Sequence, residues 1–584
     1  METMRRSAPL AVSILIVVLF SLVILRLAWV MVGQGEQLAA EAAEQQTRSL
    51  EYYQYGRGDI LDRYGRRLTG IVENCLVVFP AMVEDREAAI DQIAQILDLD
   101  ETVIADRLDS GSPSLAPYVL HTGLDGAQAE QILAADLPGV TSLQLAARYN
   151  STYPAVHLIG FCQQQDGIWR GASGLELQYD RYLTGRIDDQ LVAYVDADGR
   201  LSQNQLYLVE EDPTYHALQL TLDMDYQQIV ENAFTRLGYC GAGVILDPET
   251  GDILAAASVE GYDPYFWEAT SSDAYVNKVF ALYHPASTFK TVLAAAALQE
   301  GIPLPGSGDS MDADMSAQGK VEQSAVEAQQ VPIDEDASVL DSEDRFLCTG
   351  SYQFAPDRQV SCTSVPEGHG LLDLEQAMAK SCNCYFVALG QTLGGSLIRD
   401  YSQRLGLVGQ QVIGYTLNDY EETAYLDFSD QVPADVANVS LGERGVMVSP
   451  LQEAVLFSTF VNGGYQVTPR LVEQITTRSG EIVQSFPNAP PTRVLSEEVS
   501  EQIRSMLVQC VESGTAVAVS GSLMTAGGKT GTSESGGVWF SGFAPADEPR
   551  WVIVVHVDGG SAGGVEAAAV FRNIIEGIQQ LAAE

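Results

Sequence analysis

Lysine is almost missing from this chain. Its 584 residues contain five, Lys278, Lys290, Lys320, Lys380 and Lys529, and basic residues as a whole number 32 against 78 acidic ones. The resulting formal charge of −46 excludes a nucleic-acid partner, because phosphate binding needs clustered Lys and Arg. Screening over about 8 Å leaves local charges in control of any small-molecule site, so a lysine that lines a cleft matters more than the total. Histidine is also scarce. The six histidines (His121, His157, His216, His284, His369, His556) show no ligand spacing, so no metal site and no cofactor are expected. No internal repeat is present. The charged fraction of 19% beside 46% hydrophobic residues describes a globular protein, and the length calls for two or three domains.

The first hydrophobic run is the longest. Arg5 and Arg6 precede an apolar stretch from Leu10 to Leu25, continued past Arg26 by Leu27 to Val32. About 20 apolar residues span a bilayer, and Arg26 sits where it can snorkel to the interface. Residues 10–32 therefore read as a transmembrane helix, with residues 1–9 cytoplasmic and the bulk of the chain outside. A cleaved signal peptide, processed at the alanines between Ala39 and Ala43, competes with this reading, but the run is long for that. The Ala/Glu/Gln-rich stretch from Gln34 to Leu50 suits a helix leaving the membrane, within a linker over 33–56.

Arg57-Gly58-Asp59-Ile60-Leu61-Asp62-Arg63-Tyr64-Gly65 reads as a strand with glycine turns and an Arg–Asp staple. Residues 57–212 alternate short strands with amphipathic helices such as Asp91–Leu97 and Ala127–Ala134 and carry no catalytic constellation, so they are expected to be an α/β pedestal. A boundary falls at the acidic stretch Glu210–Tyr215. Beyond it, Gly243–Asp247 and Asp252–Ser258 flank Pro248-Glu249-Thr250-Gly251 as a β-hairpin. The acidic, Gly/Ser-rich segment 301–345 is expected to be a mobile surface insertion. Trp551–Val557 closes the chain as a strand and Val565–Ala582 as an amphipathic helix. Of the eight cysteines, Cys348 and Cys362 end one short loop and form the expected disulfide if the compartment is oxidising.

The chemistry concentrates in three short motifs. The first is Ser287-Thr288-Phe289-Lys290 opening an alanine-rich helical run, which puts Ser287 and Lys290 one turn apart on the same face. A serine hydroxyl needs a neighbouring base, and a buried lysine at a helix start can be one. The second is Ser381-Cys382-Asn383 after the helical stretch Leu372–Lys380, offering a hydroxyl for proton relay and an amide. The third is Lys529-Thr530-Gly531-Thr532 before the strand-like Val538-Trp539-Phe540, an ammonium and two hydroxyls suited to gripping a carboxylate. Each motif alone is weak, and a surface pair or a helix cap explains it as well. In order, using two of the five lysines, the three form the signature of β-lactamases and penicillin-binding proteins.

On these motifs the sequence resembles the class B penicillin-binding proteins. Arg57–Gly65, Leu158-Ile159-Gly160, Gly174-Leu175-Glu176 and Tyr179-Asp180 are similar to the family's pedestal motifs. His369-Gly370, Ser449-Pro450-Leu451-Gln452, Gly514-Thr515-Ala516 and Trp539–Pro545 fit the catalytic domain. The resemblance implies an α+β protein: a membrane helix, an elongated pedestal, and a transpeptidase domain over 213–584 with an antiparallel sheet flanked by helices and an all-helical lobe. It implies that Ser287 attacks the carbonyl between two D-alanines of a peptidoglycan stem peptide, that Lys290 takes the serine proton, and that Ser381 passes a proton to the leaving amine. Asn383 would hold the acyl amide. Lys529, Thr530, Gly531 and Thr532 would bind the terminal carboxylate, with the N–H groups of Ser287 and Thr532 as oxyanion hole. It further implies β-lactam binding, the plasma membrane and a membrane-embedded SEDS-type glycan polymerase as partners, and no glycosyltransferase activity. Two departures stand out: Ala286 where the family has glycine before the nucleophile, and Gly442-Glu443-Arg444 where it has Gly-Gln-Gly.

Two further function classes share this scaffold, a β-lactam hydrolase and a non-catalytic β-lactam sensor; a hydrolase needs neither anchor nor pedestal. Gly559-Gly560-Ser561-Ala562-Gly563 imitates a nucleophile elbow, but no histidine follows it in the order that fold demands, and it reads as a strand-to-helix turn. Cys382 reads as a packing residue.

Overall fold

The computed structural model describes residues 16–26, 29, 47–51, 57–110, 118–149, 152–165, 168–184, 190–195, 201–209, 216–267, 272–306, 345–362, 365–409, 411–417 and 425–583. Most of the expected insertion 301–345, the boundary at 210–215 and much of the expected span 10–32 lie outside them. Residues 16–26 are helical and exposed. Among the described residues no helix is long and apolar enough to cross a membrane.

The chain divides into two interleaved compact units. One holds residues 1–57, 70–151 and 185–214; the other holds 58–69, 152–184 and 215–584. Residues 57–212, read from the sequence as one pedestal, thus contribute to both units. The segment 58–69 joins the second unit because Ile60–Leu61 pairs in parallel with His216–Leu220. Asp62 is buried there and accepts hydrogen bonds from Tyr64 N, Arg66 N and Arg66 Nε. Arg66 also reaches Asp223 and Asp225 at 2.9 and 2.7 Å. The expected Arg–Asp staple exists, with Arg66, just past the motif, as its cation.

In the first unit, Ile71–Val78 is the central strand of an antiparallel sheet between Tyr118–His121 and Val140–Ala147. Its run Cys75-Leu76-Val77-Val78 is buried on both faces, Leu76 and Val78 into one core, Cys75 and Val77 into the other. The first core receives the helices Arg86–Leu97, capped by Asp85, and Gly126–Ala134, whose Asp125/Gln128 capping box satisfies its free N–H groups. Thr47–Glu51 pairs antiparallel with Gln190–Val195, correcting the helix expected there. A partner strand supplies backbone bonds that override helix propensity in so short a segment.

The second unit is built on five antiparallel strands: β1 (Gly241–Leu246), β2 (Ile253–Val259), β3 (Gly527–Thr532), β4 (Gly537–Ala544) and β5 (Trp551–Asp558). They run in the order β2-β1-β5-β4-β3, which leaves β3 at an edge. The hairpin β1–β2 is the one expected. Among the described residues, its α-helices after residue 216 are α1 (Met224–Leu237), α2 (Lys290–Glu300), α3 (Leu374–Ala379), α4 (Asn383–Leu393), α5 (Gly395–Arg404), α6 (Pro433–Ser440), α7 (Pro450–Thr459), α8 (Glu497–Ser513) and α9 (Glu566–Ala583). The strands are buried along nearly their whole length. Both faces of the sheet are therefore covered, by α1 and α9 packed on each other and by α7.

Helix α2 is buried from Lys290 to Ala297 and packs against α4, α5 and α8. A helix apolar all round belongs in a core; full burial of Phe289 and Leu293 contributes about 2–3 kcal/mol each. The surrounding lobe is not all helical. Two-stranded ladders join Phe346–Cys348 to Gly370–Leu372, Ser351–Ala355 to Arg358–Ser361, and Tyr425–Leu426 to Val446–Met447. Glycines at 350, 368 and 370 take φ of 93°, 90° and 76°, and such backbone breaks a helix but closes a turn.

Candidate active site

Ser287 lies on a single 3-10 turn, Ala286–Phe289, that runs directly into α2. The turn is made by Ala286, whose φ of 53° costs a residue with a Cβ about 1–2 kcal/mol. Gly442 holds that conformation in place: Ala286 N donates to Gly442 O at 2.8 Å, and a Cβ on Gly442 would come within 2.0 Å of Ala286 O. The glycine of the departing Gly442-Glu443-Arg444 triplet thus keeps its packing role. Glu443 turns away to accept from Ser533 Oγ at 3.1 Å and from Glu534 N at 3.3 Å.

Lys290 is completely buried. Its Nζ lies 2.9 Å from Ser381 O, 3.2 Å from Ser381 Oγ and 2.7 Å from Asn383 Oδ1. Burial, and after it the charge of Lys529, pushes its ammonium down to about 7. Three acceptors suit the three hydrogens of the charged form. They suit the neutral amine equally, with two hydrogens donated and the lone pair facing the Ser381 hydroxyl. Ser287 and Lys290 lie one turn apart as expected, and among the described residues no hydrogen bond joins Ser287 Oγ to Lys290. Packing of α4 draws the amine to Ser381 and Asn383 instead, and such catalytic contacts often tighten only with substrate bound.

Ser381 occupies the joint between α3 and α4 with φ of 54°. Ser381 N donates to Met378 O and Cys382 N to Ala377 O, closing α3, and Asn383 opens α4. From the edge strand β3, Lys529 Nζ reaches Ser381 Oγ at 3.0 Å and Thr530 O at 2.9 Å. Burial pushes the Lys529 ammonium down to about 8. Thr530 Oγ1 donates to Thr515 Oγ1 at 2.8 Å, and Thr515 N donates to Ala379 O, which ties β3 to the end of α3. Gly531 is obligatory, since a Cβ there would stand 2.9 Å from Pro285 O and 3.1 Å from Trp539 Cβ. Thr532 is exposed and its Oγ1 accepts from Gly563 N at 3.0 Å. The 287, 381 and 529 segments therefore meet in one place, with all eight expected residues on them.

Three features escaped the sequence reading. The first is Thr515 of Gly514-Thr515-Ala516, whose contact with Thr530 joins positions 15 residues apart. Glu453, on α7, is fully buried; Thr288 Oγ1 lies 2.7 Å from Pro285 O and 3.0 Å from Glu453 Oε1. The single Thr288 hydrogen serves one of these acceptors, so a protonated Glu453 satisfies both; burial pushes that carboxyl up to about 7. The third is a cluster of Cys348, Cys362, Cys382 and His369, whose ligand atoms all lie within 4.8 Å of one another. The histidine reading missed it because four separate segments supply the donors. The sulfurs of Cys348 and Cys362, the expected disulfide, are neighbours at 3.8 Å but unbonded. Ser561, in the imitation elbow, donates to Glu566 Oε1 at 2.7 Å, as a helix-entry turn does.

An antiparallel sheet whose edge strand faces a Ser-x-x-Lys turn, with a Ser-x-Asn loop between, brings together the three motifs of the penicillin-recognising proteins. Family models agree: the penicillin-binding protein transpeptidase domain matches residues 241–320 and 336–576, and the penicillin-binding protein dimerisation domain matches 54–213. The chain belongs to the penicillin-binding protein transpeptidase family, among the class B members. It is similar to stage V sporulation protein D of Bacillus subtilis, 28% identical over 96% of this chain and 83% of that one. It is also similar to the peptidoglycan D,D-transpeptidase PbpA of Mycolicibacterium smegmatis, 27% identical over 73% and 84%. The fold is that of penicillin-binding protein 3 of Mycobacterium tuberculosis, solved with aztreonam, with a TM-score of 0.58, 20% identity, and 92% and 97% of the two chains covered.

Proposed function

We propose that this protein is a peptidoglycan D,D-transpeptidase that cross-links stem peptides through an acyl-enzyme on Ser287. The observation that carries the reading is the Ser381 hydroxyl, held between Lys290 Nζ at 3.2 Å and Lys529 Nζ at 3.0 Å. Neutral Lys290 takes the Ser287 proton as Oγ attacks the D-Ala–D-Ala carbonyl. The proton passes through Ser381 to the departing D-alanine nitrogen, and that amine leaves. An amine from a neighbouring stem peptide then attacks the ester, forms the cross-link and returns Ser287. The substrate lies along β3, whose outer edge has no partner strand among the described residues and can pair with an extended peptide. Lys529, Thr530 and Thr532 hold the terminal carboxylate, while Asn383 meets the acyl amide. The N–H groups of Ser287 and Thr532 stabilise the oxyanion; removing one such donor costs about 3–4 kcal/mol in related chemistry.

The reading includes a membrane anchor over residues 10–32, supported by the apolar run and its flanking charges, with the catalytic unit outside the cell membrane. Glycan polymerisation falls to a membrane-embedded SEDS-type partner, and this chain carries out none of its own. β-Lactams enter as mimics of the D-Ala–D-Ala end and remain as slow esters.

The test is intact-mass analysis of the full chain in detergent after exposure to benzylpenicillin, with the adduct mapped. A persistent adduct on Ser287, absent in Ser287→Ala, supports the reading. An adduct elsewhere, or rapid release as penicilloate, removes it.

A further inference from the structure

Helix α7 carries a carboxyl group at a position that packing alone would give to an apolar side chain. Its residues Leu451, Ala454, Val455, Leu456 and Phe457 are buried against the sheet, and Glu453 is fully buried among them. Among the described residues no ion pair involves it, and an unpaired buried carboxylate is costly. Burial acts most on this carboxyl, followed by the hydroxyls of Thr288 and Ser541. Stability therefore does not account for an acid at 453.

Both hydroxyls belong to walls of the active site. Ser541 faces Lys529 in the β3–β4 ladder, so the two side chains share a face of the sheet. Ser541 Oγ and Glu453 Oε2 are both buried, and neither finds a hydrogen-bond partner among the described residues. The carboxyl is thus anchored on the nucleophile side, where Oε1 lies 3.0 Å from Thr288 Oγ1, itself 2.7 Å from Pro285 O. The Thr288 hydrogen goes to Pro285 O, and the acid supplies the proton that Thr288 Oγ1 accepts.

Thr288 passes this constraint on. Its hydroxyl and methyl turn on one χ1 bond, so holding Oγ1 also fixes Cγ2. The methyl lies against Gly531 of β3, where an added Cβ would stand 3.3 Å from Cγ2 and 2.9 Å from Pro285 O. Thr291 Oγ1 donates to Thr288 O at 2.7 Å, which locks the same residue to the first turn of α2. The start of the nucleophile turn is tied separately, by Ala286 N to Gly442 O at 2.8 Å.

We propose that Glu453 is a positioning residue for acylation: through the Thr288 hydroxyl it sets the spacing between the Ser287 turn and the Lys529 strand. The inference rests on the acyl-transfer reading of Ser287 and deepens it. The nucleophile comes from the turn and the carboxylate-binding ammonium from β3, and a substrate must meet both at once. A shift near 1 Å between them costs about 10²-fold in rate.

The experiment is saturation kinetics of acylation of the full chain in detergent by a fluorescent penicillin, with thermal melting of each variant beside it. Glu453→Leu, which removes the acid and keeps an apolar bulk, should lower the limiting acylation rate constant by about 10²-fold. The concentration for half-maximal rate should change little. Glu453→Gln keeps a donor for Thr288 Oγ1 and an acceptor toward Ser541, and should restore the rate. Thr288→Val removes the hydroxyl alone and should lose as much as Glu453→Leu. The double variant should lose no more than either single one, since both sever one contact. A lowered melting temperature with an unchanged rate constant in folded Glu453→Leu would mark a purely structural role and overturn the proposal. So would additive losses in the double variant, or a Glu453→Gln variant as slow as Glu453→Leu. Where Glu453→Leu does not fold, Thr288→Val and Glu453→Gln decide. A wild type that takes no adduct on Ser287 removes the acyl-transfer reading and this inference with it, whereas normal wild-type acylation matched by Glu453→Leu removes the positioning role alone.

Discussion

Lys529 Nζ stands 3.0 Å from Ser381 Oγ, on a hydroxyl that Lys290 Nζ approaches to 3.2 Å. Two ammonium groups sharing one hydroxyl in a buried site cannot both stay charged without cost. The protein lowers both, Lys290 to about 7 and Lys529 to about 8, in each case chiefly by burial. In the proposed mechanism the base and the carboxylate-binding cation are thus the same kind of side chain in two surroundings.

A bell-shaped pH profile of acylation follows. Lys290 must be neutral to accept a proton, so the rate rises as pH passes about 7. Lys529 must be charged to hold a carboxylate, so the rate falls as pH passes about 8. Because the two interact, the limbs belong to the pair. Stopped-flow acylation by a chromogenic β-lactam between pH 5 and 10 measures this; a rate flat across that range would remove the assigned roles.

The two lysines separate in kinetics. Lys290→Ala should lower the acylation rate constant by about 10²–10⁴, the usual worth of a positioned base, with little change in apparent binding. Lys529→Ala should instead raise the concentration needed for half-maximal rate. Saturation kinetics on both variants checks the split, and equal effects of the two on one parameter would contradict it.

Gly531→Ala should slow acylation by about 10²-fold, the loss that a displacement near 1 Å can cause. The added methyl meets Pro285 O at 2.9 Å and drives β3 away from the Ser287 turn. Thermal melting is the control. Gly126→Ala serves as comparison, since no atom lies within 4 Å of a Cβ there and its backbone is not in the left-handed region.

Glu453→Gln should stabilise the protein above neutral pH. Burial raises the Glu453 carboxyl from 4.5 to about 7, so between those values the folded state binds a proton that the unfolded state does not. Stability is therefore lost as pH rises through that window, by roughly 3 kcal/mol in all. Denaturant melts at pH 5 and 8 should show the wild-type decline flattened in the variant; an unchanged slope would show that the Glu453 proton is not taken up on folding.

Much of this was legible in the residues. Helix α2 and the β1–β2 hairpin follow from patterns spanning a few neighbours: an alanine run after Lys290, and β-branched segments around Pro248–Gly251. The three motifs were readable for the same reason, since each needs only residues within four positions of one another. The segment Thr47–Glu51 was not, because its strand partner lies more than 130 residues away at Gln190–Val195.

The amino-acid order by itself thus determined the catalytic parts, their succession along the chain and the scarcity of lysine that singled two of them out. Tertiary packing alone decided that the Lys290 and Lys529 amines converge on the Ser381 hydroxyl. It likewise decided that Arg66 holds Asp62, that Glu453 lies beneath the nucleophile turn, and that three cysteines and a histidine converge beside Ser381. Local patterns are set by bonding between near neighbours, whereas these contacts join segments brought together only when the apolar faces of helices and sheet exclude water from one core.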